Sequence, residues 1–129
     1  MTEGSSVVGD ATNVHTRTGS CHCGAVAFEA EMSLEGLIEC NCSWCGRTGN
    51  ILAFVASAAF RQTAGEDSQT SYRFNTQVIN HLFCRTCGVA SFGRGTGPDG
   101  QEMVAINARC LEGVDPWSLK AERFDGAKL

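Results

Sequence analysis

The stretch from Val78 to Phe92, V-I-N-H-L-F-C-R-T-C-G-V-A-S-F, decides the fold of this chain. One apolar run leads into Cys84 and another leaves Cys87, and Gly88 follows the pair, where glycine lets the backbone turn sharply. The sequence therefore predicts a β-hairpin with two cysteines at its tip, which is the setting of a zinc knuckle.

A second cysteine pair has the same character. Cys21 and Cys23 form a C-x-C that is followed at once by Gly24. Cysteines so close in sequence hardly pair with each other, because a disulfide needs a particular Cα separation, but they can direct two thiolates toward one cation. We therefore expect a closed, structural zinc site that ties the first strand to the later hairpin. Its ligands are Cys21, Cys23, Cys84 and Cys87.

A third group, C-N-C-S-W-C, supplies only three thiolates, those of Cys40, Cys42 and Cys45. Three protein ligands with an open fourth position are typical of a catalytic zinc. The fourth position is open to water, to an incoming thiolate, to His81 or to Cys110. Closure by Cys110 would make a second structural site; otherwise Cys110 is a small buried apolar residue. Trp44, inside the segment, either lines a substrate pocket or shields the metal.

Composition narrows the class of protein. The 129 residues suit one domain, and eight cysteines are many for a cytosolic protein but too few for a disulfide scaffold. The net charge of −4 argues against nucleic-acid or anionic membrane partners. The first twenty residues lack the basic and apolar regions of a signal peptide, and no apolar run approaches a membrane span. We therefore expect a cytoplasmic protein without membrane or nucleic-acid partners, whose thiols stay reduced.

The remaining pattern predicts an all-β fold with at most one short helical turn. A flexible lead-in over residues 1–16 precedes a single zinc-binding, antiparallel β domain over residues 17–129. Apolar residues alternate from Val26 to Ala30, and the run Ile51–Ala56 is continuously apolar, which predicts a strand covered on both faces.

Two further segments have short motifs. Asp115 and Pro116 predict the start of a helical turn that reaches Ala121. The G-x-G-x-x-G at residues 95–100 neither opens a helix nor sits between strand and helix, so it predicts a hairpin loop rather than a nucleotide site.

These groupings, in this order, resemble the glutathione-dependent formaldehyde-activating enzyme family, also called S-(hydroxymethyl)glutathione synthases. The matching stretches are G-S-C-H-C-G-A-V at 19–26, C-N-C-S-W-C at 40–45 with T-G at 48–49, and F-C-R-T-C-G at 83–88. The resemblance covers roughly residues 17–126. It implies a zinc-stapled β fold of the β-tent type, with the four-cysteine set structural and the triplet catalytic.

The implied reaction joins glutathione to formaldehyde as a hemithioacetal, or splits it, which is carbon–sulfur lyase chemistry. The family's triplet usually has histidine between its first two cysteines; this chain has Asn41, whose amide does not titrate. Glutathione carries two carboxylates, and Arg47, just beyond the triplet, is the first candidate to bind them. The other candidates are Arg61, Arg73, Arg85 and Arg109.

Two functional hypotheses follow. The first is a zinc-dependent carbon–sulfur lyase acting on a glutathione– or thiol–aldehyde adduct, with one structural zinc and one more labile catalytic zinc. The second is a non-catalytic module in which both zinc ions are structural and which binds small thiols or a protein partner.

Overall fold

The computed structural model describes residues 14–73, 79–97 and 99–128. The strands are β1 (His15–Ser20), β2 (Ala27–Met32), β3 (Leu37–Cys40), β4 (Ile51–Ala56), β5 (Phe60–Ala64), β6 (Gln69–Tyr72), β7 (Ile79–Cys84), β8 (Phe92–Thr96), β9 (Glu102–Asn107) and β10 (Ala121–Phe124). One α-helical turn, α1 (Cys45–Thr48), lies in these ranges. Short 3₁₀ turns occupy Ser57–Ala59, Glu66–Ser68, Ala108–Cys110, Pro116–Ser118 and Gly126–Lys128.

The strands form two sheets. A seven-stranded sheet has the order β10-β3-β4-β9-β8-β7-β6, and a three-stranded sheet has the order β1-β2-β5. Neighbouring strands are antiparallel except β10 and β3, which are parallel. The predicted all-β class is therefore confirmed. None of the helices in the described ranges is long and apolar enough to cross a membrane.

The core lies between the two sheets and is built around three aromatic rings. Phe28 of β2 stacks on Phe60 of β5 with centroids 5.4 Å apart, and Phe92 of β8 approaches Phe60 at 4.7 Å. Val26, Phe28 and Ala30 are all buried, as their alternation predicts. Because these rings come from both sheets, their packing fixes one sheet against the other.

The expectation that both faces of β4 are covered is wrong. Ile51 and Ala53 are buried in the core, whereas Phe54, on the opposite face of the strand, is 48% exposed. Among the residues that the structure describes, the side chain of Phe54 lines a cavity and is not covered by a second layer. In β4 the continuous apolar run therefore has one face in the core and the other face toward the cavity.

The helical turn after Asp115 is shorter than predicted. Asp115 Oδ1 accepts a hydrogen bond from the Trp117 amide at 3.0 Å, so the predicted cap forms. The turn nevertheless ends at Ser118, and Ala121 already begins β10. Trp117 is 91% exposed, and Leu119 alone between Pro116 and Lys120 packs against the core. A short turn with so little packing does not extend.

Two further expectations concern the loop at residues 95–100 and the lead-in at residues 1–16. The hairpin at residues 95–100 is confirmed, since the Gly97 amide donates to Gln101 O at 2.7 Å between β8 and β9; Pro98 lies outside the described residues. His15 and Thr16, predicted to belong to the lead-in, pair with Met32 and Glu31 in β1 and β2. Residues 1–13 lie outside the described ranges, so flexibility there stays a prediction.

Asn107, at the end of β9, is a buried hydrogen-bonding centre. Its Oδ1 accepts from the Ile51 and Arg109 amides at 3.4 and 3.1 Å. Its Nδ2 donates to Asn50 Oδ1 at 3.2 Å and to Ala90 O at 3.1 Å. The side chain thus joins β4 and β9 to the segment that follows the hairpin cysteines.

Replacing Asn107 by alanine should lower the free energy of unfolding by about 2–3 kcal/mol, because several buried groups lose their partner at once. Asn50→Ala removes one of the same bonds and should cost about 1 kcal/mol. Urea denaturation of the two metal-loaded variants measures the difference. Equal losses would contradict a central role for Asn107.

Candidate metal centres

Two cysteine pairs that are far apart in the sequence meet in one cluster. The Sγ atoms of Cys21, Cys23, Cys84 and Cys87 all lie within 4.8 Å of one another. Cys23 Sγ is 3.7 Å from Cys21 Sγ and 3.6 Å from Cys84 Sγ. Four thiolates placed tetrahedrally at the usual Zn–S distance are about 3.8 Å apart. The cluster can therefore hold a metal ion with little rearrangement and is compatible with zinc.

The two cysteine pairs sit on turns with the same hydrogen bonding. The Cys21 amide donates to Val26 O at 2.9 Å, and the Cys84 amide donates to Val89 O at 3.0 Å. Gly24 and Gly88 follow with φ of 85° and 82°, a left-handed conformation that favours glycine. The predicted hairpin tip at Cys84 and Cys87 is thus present. The turn that holds Cys21 and Cys23 has the same hydrogen bond and the same left-handed glycine.

Backbone amides around this cluster point at sulfur. The Thr86 and Cys87 amides donate to Cys84 Sγ at 3.3 and 3.4 Å. The amides of Val89 and Cys23 lower the pKa of the Cys87 thiol to about 6. Amide donors stabilise thiolate over thiol, which is the form that binds a metal.

Cys110 belongs to the surroundings of the four-cysteine cluster and does not close the triplet. It is half-buried against the core and accepts a hydrogen bond from Asn107 Nδ2 at 3.6 Å. Burial raises the pKa of its thiol to about 11, and the nearby sulfurs of Cys21 and Cys87 add to that shift. A triplet closed by Cys110 is therefore inconsistent with the structure.

The triplet is assembled locally, at the end of β3 and the start of α1. The Sγ atoms of Cys40, Cys42 and Cys45 lie within 4.8 Å of one another, so this cluster too can hold a metal ion. The amides of Cys42 and Cys45 donate to the sulfurs of Cys40 and Cys42, each at 3.4 Å. His81 faces the same cavity, but its ring nitrogens do not join the three sulfurs within 4.8 Å.

The C-terminal segment closes over the triplet through Asn41. Asn41 Nδ2 donates to Asp125 Oδ1 at 3.1 Å, and Asn41 Oδ1 accepts from the Ala127 amide at 3.0 Å. Gly126, which lies between Asp125 and Ala127 in the chain, is packed against the sulfur of Cys40. A Cβ atom at this position would be 2.5 Å from Cys40 Sγ. Asn41 therefore positions the C-terminal segment, a role that does not depend on whether its side chain titrates. No local pattern in the sequence indicates that Gly126 lies beside Cys40.

The triplet forms part of the wall of a cavity of about 510 Å³ on the open face of the seven-stranded sheet. An open groove of about 860 Å³ adjoins it. Trp44 lines both spaces. Its ring stacks on that of Tyr72 at 5.4 Å and contacts the tilted ring of His81 at 4.5 Å, measured between centroids. Trp44 is thus a pocket residue. Burial lowers the pKa of His81, which favours the neutral ring.

The predicted cationic residues occupy different places. Arg47, on α1, lines the groove and donates from Nη1 to Ser43 O at 2.9 Å. Arg61 is bonded to Glu29 on the three-stranded sheet, at 2.8 Å, and Arg85 donates to Asp67 O at 2.7 Å. Neither Arg73 nor Arg109 is among the residues that line the groove or the cavity. Among the described residues, Arg47 is the charged side chain that lines the groove.

Two comparisons relate the chain to known proteins. The model of the family described as glutathione-dependent formaldehyde-activating enzyme matches residues 16–126 of the chain. The crystal structure of a Rhodobacter sphaeroides protein is similar to this fold with a TM-score of 0.75 and 34% sequence identity. That similarity covers 83% of this chain and 99% of the other.

The two clusters should differ in their effect on folding. Cys84→Ser should unfold the protein at ordinary temperature, because it removes a ligand that joins the two sheets. Cys42→Ser should leave the fold intact, since its cluster is held by one local segment. Far-ultraviolet circular dichroism and bound-metal analysis of both variants provide the measurement. The reverse result would contradict this division of roles.

Gly126→Ala should weaken metal retention at the triplet without unfolding the protein, because the added methyl group displaces the C-terminal segment from Cys40 Sγ. Gly46→Ala is a matched control, since a Cβ there has ordinary contacts of 3.6 Å with Asn41 O. We expect the first variant to lose its second metal equivalent at a chelator concentration at least several-fold lower than the control. Identical chelation curves would argue against closure by Gly126.

Proposed function

The chain belongs to the glutathione-dependent formaldehyde-activating enzyme family, and we propose on that basis that it is a zinc-dependent carbon–sulfur lyase. Its substrate is a thiol–aldehyde adduct of the S-hydroxymethylglutathione type. The catalytic ligands are Cys40, Cys42 and Cys45. Localisation in the cytoplasm accords with reduced thiols in both clusters.

The observation that carries this proposal is a group of three thiols, not four, in the wall of a cavity of about 510 Å³. Cys40 and Cys42 are half-buried and Cys45 is buried, so the cluster meets the cavity on one side and the protein on the other. In the described residues, no further histidine, cysteine or carboxylate joins the three sulfurs within 4.8 Å. A ligand position directed into the cavity is what a reactive metal site needs.

Zinc bound by three thiolates would supply a Lewis acid that keeps a substrate thiol deprotonated beside the aldehyde. The protein's own residues prepare that site. The backbone amides of Cys42 and Cys45 hold the sulfurs of Cys40 and Cys42 in place. Asn41 holds the C-terminal segment beside the cluster. The cavity wall is largely apolar, so it offers a bound substrate few competing hydrogen-bond partners beside the cluster.

The four-cysteine cluster is proposed to be structural. Cys21 and Cys84 are almost fully buried, at 2% and 1% exposure, and four thiolates complete the coordination of zinc. None of these four cysteines is among the residues that line the cavity or the groove. The metal at this cluster therefore contributes folding energy and not chemistry.

Catalysis is tested with the metal-loaded protein, glutathione and formaldehyde, by following exchange between free glutathione and the hemithioacetal with NMR. We expect exchange faster than in buffer, and a return to the buffer rate in Cys42→Ser. If neither formaldehyde nor a longer aldehyde exchanges faster than in buffer, the enzyme proposal is wrong and the non-catalytic zinc module remains.

Arg47 should bind a carboxylate of glutathione, because it is charged and lines the groove beside the triplet. Arg47→Met should raise KM for glutathione by about tenfold or more while kcat changes little, since a charge-assisted hydrogen bond is lost. Arg61→Met is the control, because Arg61 is bonded to Glu29 on the other sheet. Equal KM values for the two variants would place the carboxylates elsewhere.

A further inference from the structure

Exposed apolar side chains gather around the cavity that holds the triplet. Six large apolar residues are exposed in the described ranges, and three of them, Phe54, Ile79 and Phe124, line this cavity. They come from β4, β7 and β10, which are separated in the sheet by other strands. An apolar patch of this kind, next to a cluster of thiols, is typical of a ligand site.

The strand register explains the shape of the cavity. Phe54 lies opposite Ala105, Ala105 opposite Gly93, and Gly93 opposite His81. Residues paired across strands share one face of the sheet. Small residues thus occupy the middle of the row and large ones its ends, which leaves a depression whose floor is Ala105 and Gly93.

The size and charge of the cavity do not match formaldehyde. Its volume of about 510 Å³ is in the range of pockets for drug-sized ligands, whereas formaldehyde has two heavy atoms and one water occupies about 30 Å³. No aspartate, glutamate, lysine or arginine lines it among the described residues. The two carboxylates and the ammonium group of glutathione would lose their hydration there without gaining partners.

The adjoining groove has the complementary character. Arg47 lines the groove and not the cavity, and the two spaces share Trp44, Asn50 and Ala90. A charged thiol therefore fits the groove, and the uncharged reactant fits the cavity. The two would meet at the triplet, because Trp44 lies within that segment.

We propose that the aldehyde used by this protein carries an apolar chain or ring of several carbons, which is bound in the cavity while the thiol's carboxylates lie toward Arg47. This inference rests on the proposed function. In the reaction the thiol sulfur bonds to the carbonyl carbon, the carbonyl π bond opens, and the thiol proton finishes on the oxygen. No electrons are gained or lost overall, and cleavage is the reverse.

The test compares formaldehyde, propanal and hexanal with glutathione on the metal-loaded protein. We expect kcat/KM, measured against the buffer rate, to rise roughly fourfold for each methylene that enters the cavity. Equal or better use of formaldehyde would overturn the inference and leave the proposed function standing. No acceleration with any aldehyde would overturn both, so the two failures are distinguishable.

Two cavity variants and one control sharpen the comparison. Ala105→Phe fills the floor and should reduce kcat/KM for hexanal at least tenfold more than for formaldehyde. Phe54→Ala removes part of the wall at an exposed position and should flatten the dependence on chain length. Trp117→Ala removes the most exposed of these apolar side chains outside the cavity and should leave all values unchanged. Unaltered chain-length dependence in both cavity variants would overturn the inference.

Binding without reaction supplies an independent readout. The chain has two tryptophans, so Trp117→Phe leaves Trp44, in the cavity wall, as the single tryptophan fluorophore. Hexanol should change its fluorescence at a concentration far below that needed for propanol, and Ala105→Phe should abolish the difference. Equal affinities for the two alcohols would overturn the inference.

Discussion

The structure depends on the meeting of four sulfur atoms at one point between two sheets. Cys21 and Cys23 precede β2 of the three-stranded sheet, and Cys84 and Cys87 lie at the tip between β7 and β8 of the other. Four thiolates within 4.8 Å repel one another unless a cation lies among them. The proposed metal therefore closes a long loop, and two of its ligands, Cys21 and Cys84, belong to the same buried core as the three packed phenylalanine rings.

The second cluster is independent of this constraint because it is assembled differently. Its three sulfurs come from one segment at the end of β3, and a distant segment completes its surroundings: Asn41 bonds to residues 84 and 86 positions later in the chain. One cluster thus joins sheets, while the other borders a cavity. This separation allows a proposed reactive site to change its ligands without loosening the fold.

Local patterns predicted much of this. The alternation from Val26 to Ala30, the hairpin tip at Cys84 and the loop at residues 95–100 are all present, because each depends on neighbouring residues. The expectations for Phe54 and for a helix reaching Ala121 were wrong, because both depend on what packs against the segment. The position of Cys110 could not be predicted either, since strand order decides which cluster it approaches.

By itself the sequence determined which cysteines form each local group, because ligands one or two residues apart must approach the same point whatever the rest of the chain does. Local spacing does not decide that Cys21 and Cys23 meet Cys84 and Cys87; the tertiary structure brings these two pairs within 4.8 Å. It also determined the β class, through alternation and turn glycines. Only the tertiary structure decided that Phe54, Ile79 and Phe124 surround one cavity, that Gly126 lies against Cys40, and that Arg47 borders a separate groove. These contacts join strands far apart in sequence, and strand order and register, which no local pattern specifies, bring them together.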